Sequence, residues 1–252
     1  MRDGFSVFDT HTHIGSGRHS GRKYTADQLL RDMDRAGVDR SVVIPFPVVD
    51  DYRLAHDEIG GAVKAHPDRL VGAASLYPFI LESEFREEVK RCRESHGFRA
   101  LKIQPQYQAL NPISPASDFL FETALENDLR LICHTGSGVP FALPSLFMLP
   151  ARRHRGLTII LAHCGGGGLL VSEAIVAASF CPNIYLELST LMPHHVLDVL
   201  SHVPSDRLMV GSDLPESLDT ELGKVLGLAI PAEQKRNILF GTAAAVFDGR
   251  GA

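Results

Sequence analysis

Eight short apolar runs alternate with amphipathic segments along the whole chain, and this alternation constrains the fold more than any other feature. The runs cover residues 5–11, 41–46, 70–77, 100–104, 129–134, 158–163, 184–189 and 208–211. Their mean spacing of roughly 31 residues is what a strand followed by a returning helix needs. The first amphipathic segment opens with Thr25-Ala26-Asp27-Gln28, a capping-box pattern, and stops at Gly37, a residue suited to a left-handed C-terminal cap. Pro115 and Pro231 sit where first-turn prolines are tolerated. Eight such units, with no low-complexity linker between them, predict an α/β chain that folds as one (β/α)8 TIM barrel over residues 1–252. An open doubly wound sheet is the alternative. The glycines of the first loop, Gly15, Gly17 and Gly21, lack the spacing of a dinucleotide-binding turn.

The polar residues at the ends of these runs carry the chemistry. Side chains alternate across a strand, so Asp9, His11 and His13 share one face. Runs five and six end in His134 and His163, and Asp213 closes the eighth. All lie at carboxyl ends of strands, the rim where barrel active sites are built. One histidine after a strand is usually a hydrogen-bonded core residue; four histidines and an aspartate on four strands are hard to place there by accident. Three histidines and one carboxylate suit zinc or a similar divalent ion with a position left open for water. On run four, Lys102 and Gln104 share the face opposite Leu101 and Ile103 and should point inward.

This constellation resembles the amidohydrolase superfamily of metal-dependent barrels. The motifs are Asp9-Thr10-His11-Thr12-His13, Cys133-His134-Thr135-Gly136, Ala162-His163-Cys164-Gly165-Gly166 and Gly211-Ser212-Asp213. The stretch Gly97-Phe98-Arg99-Ala100-Leu101-Lys102-Ile103 is similar to the amidohydrolase-2 branch, which includes aminocarboxymuconate-semialdehyde decarboxylase. By matching position, the resemblance implies that His11, His13, His134 and Asp213 hold one divalent ion, with zinc favoured and manganese an alternative. His163 would act beside it, and Asp213 would also move the proton. The implied reaction is hydrolysis of a small carboxylated or cyclic ester or amide, of lactonase or amidohydrolase type, by a metal-activated water. The alternative is non-oxidative decarboxylation of a small unsaturated or aromatic acid by a carboxy-lyase. A TatD-like nuclease normally carries a glutamate where this chain has Lys102, and a non-catalytic metal-loaded barrel would not need both Asp213 and His163. A second ion bridged by a carboxylated Lys102 is the less favoured arrangement, against a charged Lys102 paired with Asp9 or Glu187.

Further candidates for substrate contact are Lys102, Gln104, Tyr77 and Arg18, the last in a glycine-rich basic loop at residues 14–23. The glycines 165–168 after His163 either open a helix or allow close backbone packing. Thr242 stands where asparagine commonly follows the family's closing glycine. Charge sets the remaining expectations. Lys+Arg 25 against Asp+Glu 30 gives a net charge of −5, which offers nucleic acid or an anionic membrane no global attraction. No apolar run reaches the roughly 18 residues of a membrane span, and the first residues lack a secretory h-region. Four cysteines without a paired spacing predict reduced thiols and a cytoplasmic protein acting on a small molecule. A homodimer is compatible with this reading.

Overall fold

The strands of the computed structural model, which describes residues 1–249, are β1 (Phe8–Ser16), β2 (Lys23–Tyr24), β3 (Arg40–Pro45), β4 (Leu70–Ala74) and β5 (Ala100–Ile103). β6 (Arg130–His134), β7 (Ile159–Ala162), β8 (Ile184–Glu187) and β9 (Leu208–Met209) follow. They form one sheet in the order β2-β1-β3-β4-β5-β6-β7-β8-β9, parallel throughout except for the antiparallel β1–β2 pair. Each of the eight predicted runs contains or overlaps a strand, whereas the two-residue β2 had no sequence signal. Beyond β9 the chain returns to β1. The Thr10 N–H donates to the Val210 carbonyl at 3.0 Å, and the Asp213 N–H donates to the His11 carbonyl at 2.7 Å. Thr12 and Asp213 form a parallel bridge.

Helices fill the crossovers. They are α1 (Ala26–Ala36), α2 (Tyr52–Ala65), α3 (Glu82–His96), α4 (Pro105–Gln108), α5 (Asp118–Glu126), α6 (Met148–Arg153), α7 (Val171–Phe180), α8 (Pro193–His202), α9 (Leu218–Leu226), α10 (Ala232–Arg236) and α11 (Thr242–Asp248). The predicted capping box of α1 is present: Thr25 Oγ1 accepts from the Gln28 N–H at 3.2 Å while Gln28 Oε1 accepts from the Thr25 N–H at 2.8 Å. Gly37 ends α1 at φ 74°, a left-handed conformation in which a side chain would be strained. Pro115 opens a 3-10 turn as expected, and Pro231 caps α10 rather than entering it.

Strand alternation divides the core in two. Val42, Ile44, Val71, Ala73, Ala100, Ile132, Ile160 and Ala162 meet on one face, sealed by Ala243, Val246 and Phe247 of α11. The intervening Val43, Leu101, Ile103, Leu131, Cys133, Ile159 and Leu161 pack with the helices. Cys133 therefore faces outward, as alternation predicts, and is buried among apolar side chains. Thr242 is buried and donates through Oγ1 to the Ser205 carbonyl at 3.1 Å, tying down the last helix without the family's asparagine. Past this apolar layer the inner faces of β4, β5, β6 and β8 turn polar at the carboxyl end, with Ser75, Lys102, Gln104, His134, Glu187 and Ser189, while β3 continues to Phe46.

Candidate metal centre

His11 and His13 extend from β1 to the same side, and Asp213 arrives from the segment that bridges back to that strand. Asp9 fixes this junction. Its carboxylate accepts from Ser212 Oγ at 2.7 Å, from the Ser212 N–H at 2.9 Å and from the His11 N–H at 3.2 Å. It thereby holds the residue preceding Asp213 and does not reach Lys102. Burial pushes the Asp9 carboxyl up to about 7 against these hydrogen bonds. Asp213 adopts φ 61°, and His163 and Cys164 adopt 66° and 44°; such conformations are uncommon outside glycine and concentrate at functional rims.

The ring nitrogens are assigned by their partners. His13 Nδ1–H donates to the Pro45 carbonyl at 2.8 Å, and His11 Nδ1–H donates to Glu187 Oε2 at 3.2 Å. Both rings then present Nε2, at 3.5 Å from Asp213 Oδ1 for His11 and 3.7 Å for His13. His11, His13 and Asp213 each offer a ligand atom, all within 4.8 Å of one another. His163 Nδ1–H donates to Ser189 Oγ at 2.8 Å, whose own hydroxyl donates to Glu187 Oε2 at 2.9 Å. That chain turns His163 Nε2 toward Asp213 Oδ1, 4.0 Å away. His134 lies beside this group, its ring centroid 4.8 Å from that of His163, but its Nε2 donates to the Ser137 carbonyl at 2.9 Å. Only its Nδ1 remains for a cation, and the structure does not bring His134 into the three-residue cluster.

Burial keeps these imidazoles neutral, the form that binds metal. It pushes His13 down to about 3 and His134 to about 4, with the Lys102 ammonium adding to both shifts. His11 and His163 are also lowered well below the usual imidazole value, again chiefly by burial. Burial raises Asp213, and Lys102 opposes it. Lys102 points inward as expected, with its amine 2.9 Å from His11 Nε2 and burial lowering it to about 8. The donor set fits one divalent cation: two neutral Nε2 atoms with fixed tautomers and a carboxylate oxygen facing both. Lys102 shares the His11 lone pair that such a cation would use.

The site opens into a cavity of about 170 Å³ lined by His19, Arg22, Phe46, Tyr107, Lys102 and Gln104 beside the cluster. Of the four substrate candidates, Lys102 and Gln104 lie there. Tyr77 does not line the cavity; it is exposed and donates to the carbonyl of Tyr107, which does. Arg18 does not line the cavity, its exposed guanidinium lying 3.3 Å from Asp50, and the arginine of the cavity is Arg22. The glycines after His163 do not open a helix, since α7 starts at Val171. They serve close packing: a Cβ on Gly136 would lie 2.6 Å from the Gly166 Cα. Sequence reasoning missed Phe46, Tyr107 and the orienting role of Glu187. Glu187 and Ser189 did carry a signal, the same i, i+2 polar pair at a strand end that marked Lys102 and Gln104.

A curled parallel strand–helix sheet with a histidine–carboxylate cluster at the carboxyl ends of its strands defines a barrel-like α/β scaffold built around a cation site. The chain belongs to the amidohydrolase family, whose profile matches residues 8–249. No curated protein matches it by sequence. Among solved structures it is similar to an uncharacterized TIM-barrel protein from Bordetella bronchiseptica, with TM-score 0.78, 18% identity, and 98% of this chain and 100% of the other covered. It is also similar to 2,6-dihydroxybenzoate decarboxylase from Rhizobium, with TM-score 0.75, 16% identity and 98% and 100% covered. A third is 5-carboxyvanillate decarboxylase from Novosphingobium aromaticivorans, solved with manganese and 4-hydroxy-3-methoxy-5-nitrobenzoic acid, with TM-score 0.76, 15% identity and 97% and 96% covered. No helix among the described residues is long and apolar enough to cross a membrane.

Proposed function

We propose that this amidohydrolase-family chain is a metal-dependent carboxy-lyase that removes carbon dioxide from a small acid about one ring in size. One observation carries the reading. The cavity at the cation cluster measures about 170 Å³ and mixes aromatic walls, Phe46 and Tyr107, with the cations Arg22 and Lys102. An engineered cavity of about 150 Å³ accepts benzene, so the space suits a single ring. The decarboxylases to which the fold is similar act on acids of that size, as their names state. The same reading has β1 and β3–β9 closing as one eight-stranded barrel in a single domain.

The residues take these parts. His11, His13 and Asp213 would hold the cation, with His134 able to join through Nδ1. The ion supplies Lewis-acid polarisation of a substrate oxygen, and zinc or manganese would serve. Arg22 and Lys102 offset the charge of the bound acid. When the bond to the carboxylate breaks, its electron pair stays on the ring carbon, which then takes a proton. Asp213 is placed to deliver that proton and His163 Nε2, 4.0 Å away, to exchange it.

Hydrolysis is the second reading, and one observation favours it. A further chamber of about 340 Å³, lined by Thr135, Ser137, Gly166, Gly167 and Thr190, meets the first at His134, His163 and Asp213. The two halves of a cleaved ester or amide would then have separate places, with Asp213 taking the proton of the attacking water. Protein reconstituted with zinc or manganese should release carbon dioxide stoichiometrically from a panel of hydroxylated and unsaturated acids, and Asp213→Asn should abolish release. Turnover of lactones and esters without carbon dioxide release would replace the first reading with the second.

A further inference from the structure

We propose that Gln104 is the specificity-determining donor of the cavity. Its side-chain amide receives an oxygen of the substrate other than the carboxylate, so the preferred ligand is a small acid bearing a second acceptor. This inference rests on the ring-sized acid reading above.

Gln104 is 2% exposed, and its Nε2 has no hydrogen-bond partner. Among the described residues that line the cavity, this is the one buried side-chain nitrogen or oxygen left unpaired. Native proteins pair nearly all such groups, so an exception beside a cavity points to a ligand. Three neighbouring donors have protein partners. Arg22 pairs with Glu216, Lys102 lies 2.9 Å from His11, and His163 donates to Ser189.

Slack in the chain does not account for the orphan. The Gln104 N–H donates to Gln108 Oε1 at 2.7 Å, and Gln108 Nε2 donates to the Leu76 carbonyl at 2.9 Å. The Gln104 carbonyl accepts from the Tyr107 and Gln108 N–H groups at 3.0 and 2.9 Å. Gln108 thus spends its amide on bracing the wall, and the Gln104 backbone is fixed there, with its side-chain nitrogen buried and unpaired in the cavity wall. Arg22 and Lys102 select for negative charge without fixing where a second oxygen lies. A neutral, rigidly mounted amide adds that direction.

The test uses metal-loaded protein and calorimetric titration with benzoate and the three monohydroxybenzoates. Wild type should bind at least one hydroxybenzoate about tenfold more tightly than benzoate, the worth of one net hydrogen bond. In Gln104→Met that gap should close to about twofold while benzoate affinity moves less than about twofold. Gln104→Glu should weaken every acid by adding a negative charge. Because an unpaired buried amide is removed, Gln104→Met should melt at or above the wild-type temperature. A gap that survives in Gln104→Met overturns the proposal. So does a variant that melts lower and loses benzoate and hydroxybenzoate affinity in parallel, which marks a structural residue. If benzoate fails to bind wild type at all, the ring-sized acid reading falls and this proposal with it. Benzoate binding with a gap indifferent to Gln104 removes this proposal alone.

Discussion

Replacing Glu187 by glutamine should weaken divalent-cation binding although Glu187 need not touch the ion. Four donors converge on this buried carboxylate. Oε2 accepts from His11 Nδ1 at 3.2 Å, the His163 N–H at 3.0 Å and Ser189 Oγ at 2.9 Å, and Oε1 accepts from the Ser189 N–H at 2.5 Å. An amide keeps one acceptor oxygen and adds two N–H groups. With that oxygen in the Oε2 position, two lone pairs serve three donors, and the new amide faces the Ser189 N–H. With the orientation reversed, three donors lose their partner. Thermal stability is the wrong readout, because burial already pushes the Glu187 carboxyl up to about 7 and removing the charge offsets part of the loss. The orientation of His11 is the right one. A charge-assisted hydrogen bond is worth about 1.5–3 kcal/mol, and outer partners of metal-binding histidines typically govern 10–100-fold in affinity. Glu187→Gln should therefore raise the zinc or manganese Kd by about 10–100-fold in competition against a chromophoric chelator. A Kd within about threefold of wild type would refute the orienting role.

Three further outcomes follow from the same geometry. Ser189→Ala removes the hydroxyl that fixes the His163 tautomer but leaves the His11–Glu187 contact; turnover should fall about tenfold while cation affinity changes less than about threefold, in steady-state kinetics paired with chelator competition. Lys102→Met removes a positive charge from His11 Nε2, so divalent binding should tighten by at least about 100-fold, an effective dielectric near 20 making a unit charge at ~5 Å worth ~3 kcal/mol against each charge of the ion; weaker binding would instead identify Lys102 as a carboxylated ligand. In the pair between α2 and α3, burial pushes Glu88 up, but hydrogen bonds from His56 and Arg91 outweigh it and hold its carboxyl at about 2. The depressed value makes this contribution complete above the unfolded carboxyl range and lost as pH falls from 4.5 through about 2. Glu88→Gln should accordingly melt lower than wild type at pH 7, with the difference shrinking below about pH 4 in thermal scans.

The parts of the site legible in the sequence are those set by a local period. Alternation along β1 puts His11 and His13 on one face, and alternation along β5 turns Lys102 and Gln104 inward while Leu101 and Ile103 meet the helices. Neither inference needs anything beyond two neighbouring residues. What the sequence hides is pairing across the sheet. The contact of Lys102 with His11 spans 91 positions, that of His11 with Glu187 spans 176, and the tie between Asp9 and Ser212 spans 203. Each depends on how the curled sheet brings distant strand ends together. The expectation that Lys102 pairs with Asp9 or Glu187 holds only at a distance: Glu187 and Asp213 favour its charge, but Asp9 is tied to Ser212, Glu187 to His11 and Ser189, and the Lys102 amine lies against His11 instead. The same limit explains His134. Its place at the end of β6 is local, but the nitrogen it has left for a cation depends on a loop turn that brings the Ser137 carbonyl to its ring. Gln104 combines both cases: its inward direction follows from the strand period, whereas its unpaired amide follows from Gln108 reaching Leu76 on a neighbouring crossover. A chain can therefore announce which strand ends carry chemistry while concealing which buried donor is left unpaired once distant strand ends meet.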